Sequence, residues 1–211
     1  MARRRVAVLI SGGGSNLQAL MDSAAGPGSS FTVVLVVSNR ADAFGLVRAE
    51  RARVPARVIE HARFASRPAF EAEVAAALDE AGAELVCLAG FMRVLGAEFV
   101  ERYRERMLNI HPSLLPAFPG LRTHARALAA GVLVHGCTVH LVRPELDDGP
   151  ILVQGVVPVL PGDDEAKLAA RVLEVEHRCY PLAVEAMAAE SRSPPRLVQH
   201  PLLPAMAERG K

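Results

Sequence analysis

Arg5-Val-Ala-Val-Leu-Ile-Ser-Gly-Gly-Gly-Ser-Asn-Leu-Gln18 is the stretch whose reading decides the fold. Arg5 to Ile10 is a short, continuous apolar run, the pattern of a strand covered on both faces. Ser11-Gly-Gly-Gly14 breaks that run. Ser15-Asn-Leu-Gln18 then has the form of a capping box, serine at the cap and glutamine three residues later, opening a helix. Strand, glycine turn and helix in that order make the first half of a βαβ unit.

Working outward, Phe31 to Val37 is almost wholly β-branched or aliphatic and reads as a second strand. A helix is expected over Ala43 to Ala52 and a short third strand over Ala56 to Ile59. Phe70, Val74, Leu78 and Ala81 recur at spacings of three and four, with Pro68 in the first turn and Gly82 beyond the end. They predict a helix over Ser66 to Ala81. Glu84 to Ala89 is a fourth strand. Alternating strands and helices predict an α/β protein, a Rossmann-like, mostly parallel sheet with helices on both faces.

The second half has a different texture. Gly136 to Val142 and Ile151 to Val157 read as strands joined by a proline- and acid-rich loop. Asp163 is expected to cap a long helix carrying acidic residues in its first turn, and Pro181 to kink or break that helix near its end. Prolines at 194, 195, 201 and 204 mark the segment from Ser191 as an extended arm or partly disordered tail. No internal repeat or linker divides the chain, so one domain is expected over 1–190, with 191–211 as the arm.

Composition narrows the function classes. Hydrophobic residues are 51% of the 211, many of them alanine, and aromatics are 4%. That suffices for an ordinary core, and no stretch approaches the roughly 20 apolar residues that cross a bilayer. Met1-Ala-Arg-Arg-Arg5 resembles the basic start of an export signal, but the apolar run behind it is shorter than the roughly 7–15 residues required. A cytoplasmic location is expected. A net charge of +1 offers no general attraction to nucleic acid or membrane, so any anion site must be local. Cys87, Cys137 and Cys179 are odd in number and far apart, the pattern of reduced thiols filling space. With no HExxH and no paired Cys-x-x-Cys, no metal is expected.

Three clusters carry candidate chemistry. The glycine turn at a helix N-terminus suits an anion, because bare backbone N–H groups and the helix dipole both favour negative charge. It lacks the Gly-Lys-Ser/Thr of a P-loop. It also lacks the third glycine and the strand-end acid of a dinucleotide site, since Leu17 and Ser38-Asn39-Arg40 stand there. Phosphate contacts fall on Gly14, Ser15 and Asn16; the bland alternative is a tight turn and nothing more. In Met107 to Pro116, Asn109 and His111 alternate with Leu108 and Ile110 and so share one face of a strand that Pro112 ends. Ligands of parallel sheets bind outside such strand ends, where an amide can stabilise an oxyanion and an imidazole can move a proton. Glu145-Leu-Asp-Asp-Gly-Pro150 is either a solvated turn or the source of a carboxylate that orients His111; spacing alone does not decide.

Ile10 to Asn16, Leu88 to Leu95, Leu108 to Pro116, Gly136 to His140 and Glu145 to Asp147 with Gly149-Pro150 together resemble the phosphoribosylglycinamide formyltransferase family. They follow that family's order and nearly its spacing, from the first strand to about Tyr180. The resemblance implies transfer of a formyl group from 10-formyltetrahydrofolate to the amine of glycinamide ribonucleotide in purine synthesis. It implies Asn109, His111 and Asp147 as the catalytic trio, and Gly13, Gly14, Ser15 and Asn16 as the phosphate cradle. Glu176 falls on the ribose or amine side of the substrate. Phe91, Met92, Arg93, Val94 and Leu95 form the pterin-binding segment, helped by backbone from Leu146 to Asp148, and Arg67 lies near the folate's glutamate end. Two departures stand out: Gly13 where the family often has asparagine, and Asp148 where a glycine is common, which implies a stiffer or differently turned loop.

The partners implied are small molecules, the ribonucleotide and the reduced folate, and a homodimer is left open. Alternatives are a formyltetrahydrofolate deformylase or a non-catalytic folate- or nucleotide-binding module. The deformylase usually carries an extra N-terminal regulatory domain, whereas this chain starts at its first strand. A methionyl-tRNA formyltransferase would need a basic RNA-binding extension.

Overall fold

The computed structural model describes residues 2–190 and 196–203. Its elements in chain order are β1 (Arg4–Ile10), α1 (Ser15–Ala25), β2 (Phe31–Ser38), α2 (Phe44–Arg51), β3 (Ala56–Val58), α3 (Arg67–Glu80), β4 (Leu85–Leu88), α4 (Ala97–Arg102), β5 (Met107–His111), α5 (Thr123–Ala129), β6 (Val134–Leu141), β7 (Ile151–Pro158), α6 (Glu165–Ala188) and β8 (Arg196–Gln199).

The strands form one sheet in the order β3-β2-β1-β4-β5-β6-β7-β8. β3 to β5 run parallel, β6 is antiparallel to both β5 and β7, and β8 returns parallel to β7. Alternation along β1 shows why both faces need helices. Val6, Val8 and Ile10 pack on one side with residues of α1, α2, α5 and α6, while Ala7 and Leu9 pack on the other with α3 and α4. The chain leaves β1 for β2 on one side, while β4 lies on the other. The C-terminal ends of β1 and β4 therefore border the crevice where such sheets bind ligands.

Four local expectations change. Ser15 does not cap α1; the cap position is Gly14, in the left-handed region at φ 70, and no side chain caps the helix. Asp164, not Asp163, caps α6 by accepting from Lys167 N, whereas Asp163 pairs with Arg171 at 2.6 Å. Pro181 does not end α6, which runs on to Ala188. Tyr180, Ala183 and Val184 on either side of it are buried at 0–1% exposure, and this packing holds the turn that the missing N–H would otherwise loosen. In the segment expected as an arm, Arg196–Gln199 is a strand of the sheet, so position 190 does not separate a tail from the fold. Pro194, Pro195 and Pro204 lie outside the described residues.

Candidate active site

Backbone packing shapes the glycine turn. A Cβ on Gly14 would stand 2.7 Å from Gly45 Cα, so α2 can approach the turn only because both residues are glycine. Gly45 N donates to Gly12 O at 3.0 Å, and Arg48 Nε donates to Gly13 O at 2.9 Å. Gly12 and Gly13 face open space. The turn is thus held from α2 while its other side stays free.

Asn16, in the first turn of α1, donates from Nδ2 to Glu176 Oε2 at 2.7 Å, across 160 residues. Its Oδ1 is buried with no protein partner among the described residues. Burial pushes the Glu176 carboxyl up to about 7, against a smaller opposing effect of the Asn16 bond. One helical turn on, the Tyr180 hydroxyl lies 3.0 Å from Leu88 O and 3.2 Å from Leu108 O, tying α6 to β4 and β5.

The polar face of β5 meets a matching face of β6. Asn109 is directly opposite His140, and His111 opposite Thr138. His140 Nδ1 is 2.9 Å from the carbonyl of Leu141, which can only accept, so Nδ1 carries the proton. Burial is the main cause that lowers the His140 pKa and leaves the ring neutral. Its bare Nε2 therefore accepts from Asn109 Nδ2 at 3.2 Å. The amide has a second N–H, so it is oriented by His140 and still has a donor to offer.

His111 is placed by the same logic. Nε2 donates to Phe118 O at 3.1 Å, which turns Nδ1 toward Asp147 Oδ2 at 3.4 Å. Asp147 reaches there from the loop between β6 and β7, in the left-handed region at φ 56, a conformation aspartate tolerates better than most. Its Oδ2 accepts from Gly120 N at 2.9 Å, and its Oδ1 lies 3.8 Å from His140 Nε2. Asn109 with His140 and His111 with Asp147 are therefore two adjoining polar pairs, 3.8 Å apart between His140 and Asp147, and Phe118 and Gly120 bind the second pair to the loop after β5. The left-handed residue is Asp147 itself; Asp148 beside it is exposed.

Phe91 to Leu95 run between β4 and α4 without regular structure, with Phe91 and Leu95 against the core and Met92, Arg93 and Val94 exposed. Arg67, Arg93 and Val94 line a cavity of about 240 Å³ together with His61, Phe64 and Phe70. Leu146 and Asp148 are exposed, and no hydrogen bond joins them to the 91–95 segment among the described residues. Two participants were not singled out from the sequence. His140 had a readable signal, since Thr138 and His140 alternate with apolar residues in β6. Ser11 had none, because a serine before glycines reads as turn. Among the described residues no group of three or more His, Cys, Asp or Glu is placed to hold a metal, and the three cysteines are free and buried.

Residues 4–184 match the model of the formyl transferase family. The phosphoribosylglycinamide formyltransferase of Escherichia coli is 48% identical over 179 residues, which cover 85% of this chain and 84% of that one. The trifunctional purine biosynthetic protein adenosine-3 of Gallus gallus is 51% identical over 184 residues, but this chain spans only 18% of its length. Among solved structures, the phosphoribosylglycinamide formyltransferase of Brucella melitensis superposes with a TM-score of 0.86 at 53% identity, covering 89% of this chain and 97% of that one. The chain belongs to the formyl transferase family, among its phosphoribosylglycinamide formyltransferases.

Proposed function

We propose that the chain transfers the formyl group of 10-formyltetrahydrofolate to the amine of glycinamide ribonucleotide. The observation that carries this reading is the convergence of Asn109, His111 and Asp147, with 3.4 Å between imidazole and carboxylate. The glycine turn cradles the phosphate, and Asn16 and Glu176 face the ribose or amine side. β1 and β5 are separated only by β4, so the turn and the trio stand roughly 10 Å apart at a strand spacing of ~4.8 Å, a span suited to a small ribonucleotide. Met92, Arg93, Val94 and the backbone from Leu146 to Asp148 border the pterin, and Arg67 stands at the glutamate end.

As the amine adds to the formyl carbon, negative charge gathers on the formyl oxygen. The free N–H of Asn109 donates to that oxygen, and His111, protonated on both nitrogens, adds positive charge beside it. Asp147 stabilises the imidazolium and helps pass the proton from the attacking amine to the departing folate nitrogen.

Following loss of the formylated folate by absorbance, with and without the ribonucleotide, tests the proposal. Loss that depends on the ribonucleotide supports the transferase. Loss without it would identify a hydrolase, and no loss in either case a binding module.

A further inference from the structure

Ser11 belongs to two structures at once. It is the last residue before the glycine turn, and its hydroxyl reaches across the crevice between β1 and β4. Met92 N donates to Ser11 Oγ at 2.8 Å, and Ser11 Oγ donates to Asn39 Oδ1 at 2.6 Å. Ser11 and Asn39 are 7% and 5% exposed, whereas the Met92 and Val94 side chains are 66% and 69% exposed. A serine hydroxyl has one proton. Committing it to Asn39, at the end of β2, aims a lone pair at Met92 N.

Apart from the packing of Phe91 and Leu95 against the core, the backbone of the segment this hydroxyl holds is pinned at its two ends. The chain leaves β4 with a last sheet bond from Ala89 N to Leu9 O, turns at Gly90 in the left-handed region at φ 71, and is next pinned at Met92. Its far end is pinned from α3, where Gly96 N donates to the buried carboxylate of Glu71 at 2.6 Å. Between these anchors Arg93, Val94 and Leu95 have no regular structure. The glycine turn, by contrast, is held by Gly45 and Arg48, neither of which needs the serine hydroxyl.

From this geometry we infer that Ser11, set by Asn39, is a positioning residue for the folate, fixing the backbone of the segment from Met92 to Leu95 while leaving the ribonucleotide cradle alone. The inference rests on the reading of that segment as the folate's binding wall. Replacing the hydroxyl leaves Met92 N and Asn39 Oδ1 without their partner and lets the segment sample other conformations.

Binding of tetrahydrofolate and of glycinamide ribonucleotide is measured separately for the wild type, Ser11→Ala and Asn39→Ala, together with KM for each substrate, kcat and the melting temperature. Ser11→Ala is expected to weaken tetrahydrofolate binding and raise the KM of the formylated folate by about five- to tenfold. The change in ribonucleotide binding should be under about twofold, because its cradle is braced elsewhere. Asn39→Ala, which frees the hydroxyl to rotate, shifts the same quantity in the same direction and serves alone if Ser11→Ala does not fold. Ser11→Cys, which retains a weak donor and acceptor, should fall between alanine and serine. Equal weakening of both substrates, or unchanged folate binding in a folded variant, overturns the inference. A wild type that binds the ribonucleotide but no tetrahydrofolate overturns the folate reading itself, and this inference with it.

Discussion

His111 Nδ1 stands 3.4 Å from Asp147 Oδ2 because the ring's other nitrogen is committed to Phe118 O and the same carboxylate oxygen to Gly120 N. This is slightly longer than a normal N–H···O bond of about 2.7–3.2 Å, so the two groups are adjacent without a tight bond, and a proton on Nδ1 would make them a charge pair. Asp147→Asn keeps the shape and an acceptor for Gly120 N but removes the charge. Turnover is expected to fall by about a hundredfold with an unchanged melting temperature. Steady-state kinetics beside thermal denaturation check it, and retained turnover would show that the carboxylate acts only as a loop clasp.

Asn109→Ala and His111→Ala should each cost at least about a hundredfold in turnover, the usual result of losing a positioned donor to a developing oxyanion. Near-normal turnover in both variants would remove them from the chemistry. Asn109→Ala also leaves His140 Nε2 without its donor, so a modest fall in stability accompanies it.

Glu176 gives a pH dependence with a defined sign. Burial raises its carboxyl to about 7, so the folded chain keeps a proton that the unfolded chain has already released above the ordinary 4.5. The stability this group contributes is full below pH 4.5 and is lost as pH rises through 7. The ionised form is the stronger acceptor on both oxygens and has no O–H to turn away from a donor. The KM for the ribonucleotide should therefore fall as pH rises from about 6 to about 8. Glu176→Gln should flatten that slope, and a slope that persists in this variant assigns the titration elsewhere.

His135 acts in the opposite sense on stability. It is 1% exposed, neither ring nitrogen has a hydrogen-bond partner among the described residues, and Phe118 and His124 pack edge-on against it. Burial, with smaller contributions from His124 and His111, depresses its pKa to about 4. Between pH 6.5 and 4 the unfolded chain takes up a proton that the folded chain refuses, so stability declines as pH falls through that window. The loss from this residue reaches roughly 2 kcal/mol at about pH 5. Because Glu176 acts in the opposite sense over the same window, the check is a difference between chains: in urea denaturation, His135→Leu should gain stability relative to the wild type by roughly this amount between pH 7.5 and pH 5.

Gly14→Ala tests the glycine turn. The new Cβ would meet Gly45 Cα at 2.7 Å in a left-handed backbone, and neither cost can be relieved by a side-chain rotation. We expect a loss of ~2–3 kcal/mol, or about 4–12 °C in melting temperature. The KM of the ribonucleotide should rise more than that of the folate. An unchanged ribonucleotide KM would place the phosphate away from this turn.

By itself, the sequence determined the elements whose cause is local. β1 and β2 are apolar runs of β-branched and aliphatic residues, α3 has the 3.6-residue period, and three glycines between a strand and a helix mark a tight turn whose backbone can enter the left-handed region. The shared face of Asn109 and His111 is equally local, since alternation along a strand needs no partner. Only the tertiary structure decided what meets those residues. His140 opposes Asn109 through the β5–β6 register, Asp147 reaches His111 through the turn of a separate loop, and Ser11 touches Met92 because β1 and β4 are neighbours. Pro181 inside α6 and the strand at Arg196–Gln199 were decided by packing that outweighs local preference. The reason is the same in each case: contacts between residues distant in the chain depend on register and layer order, which no short window of sequence encodes.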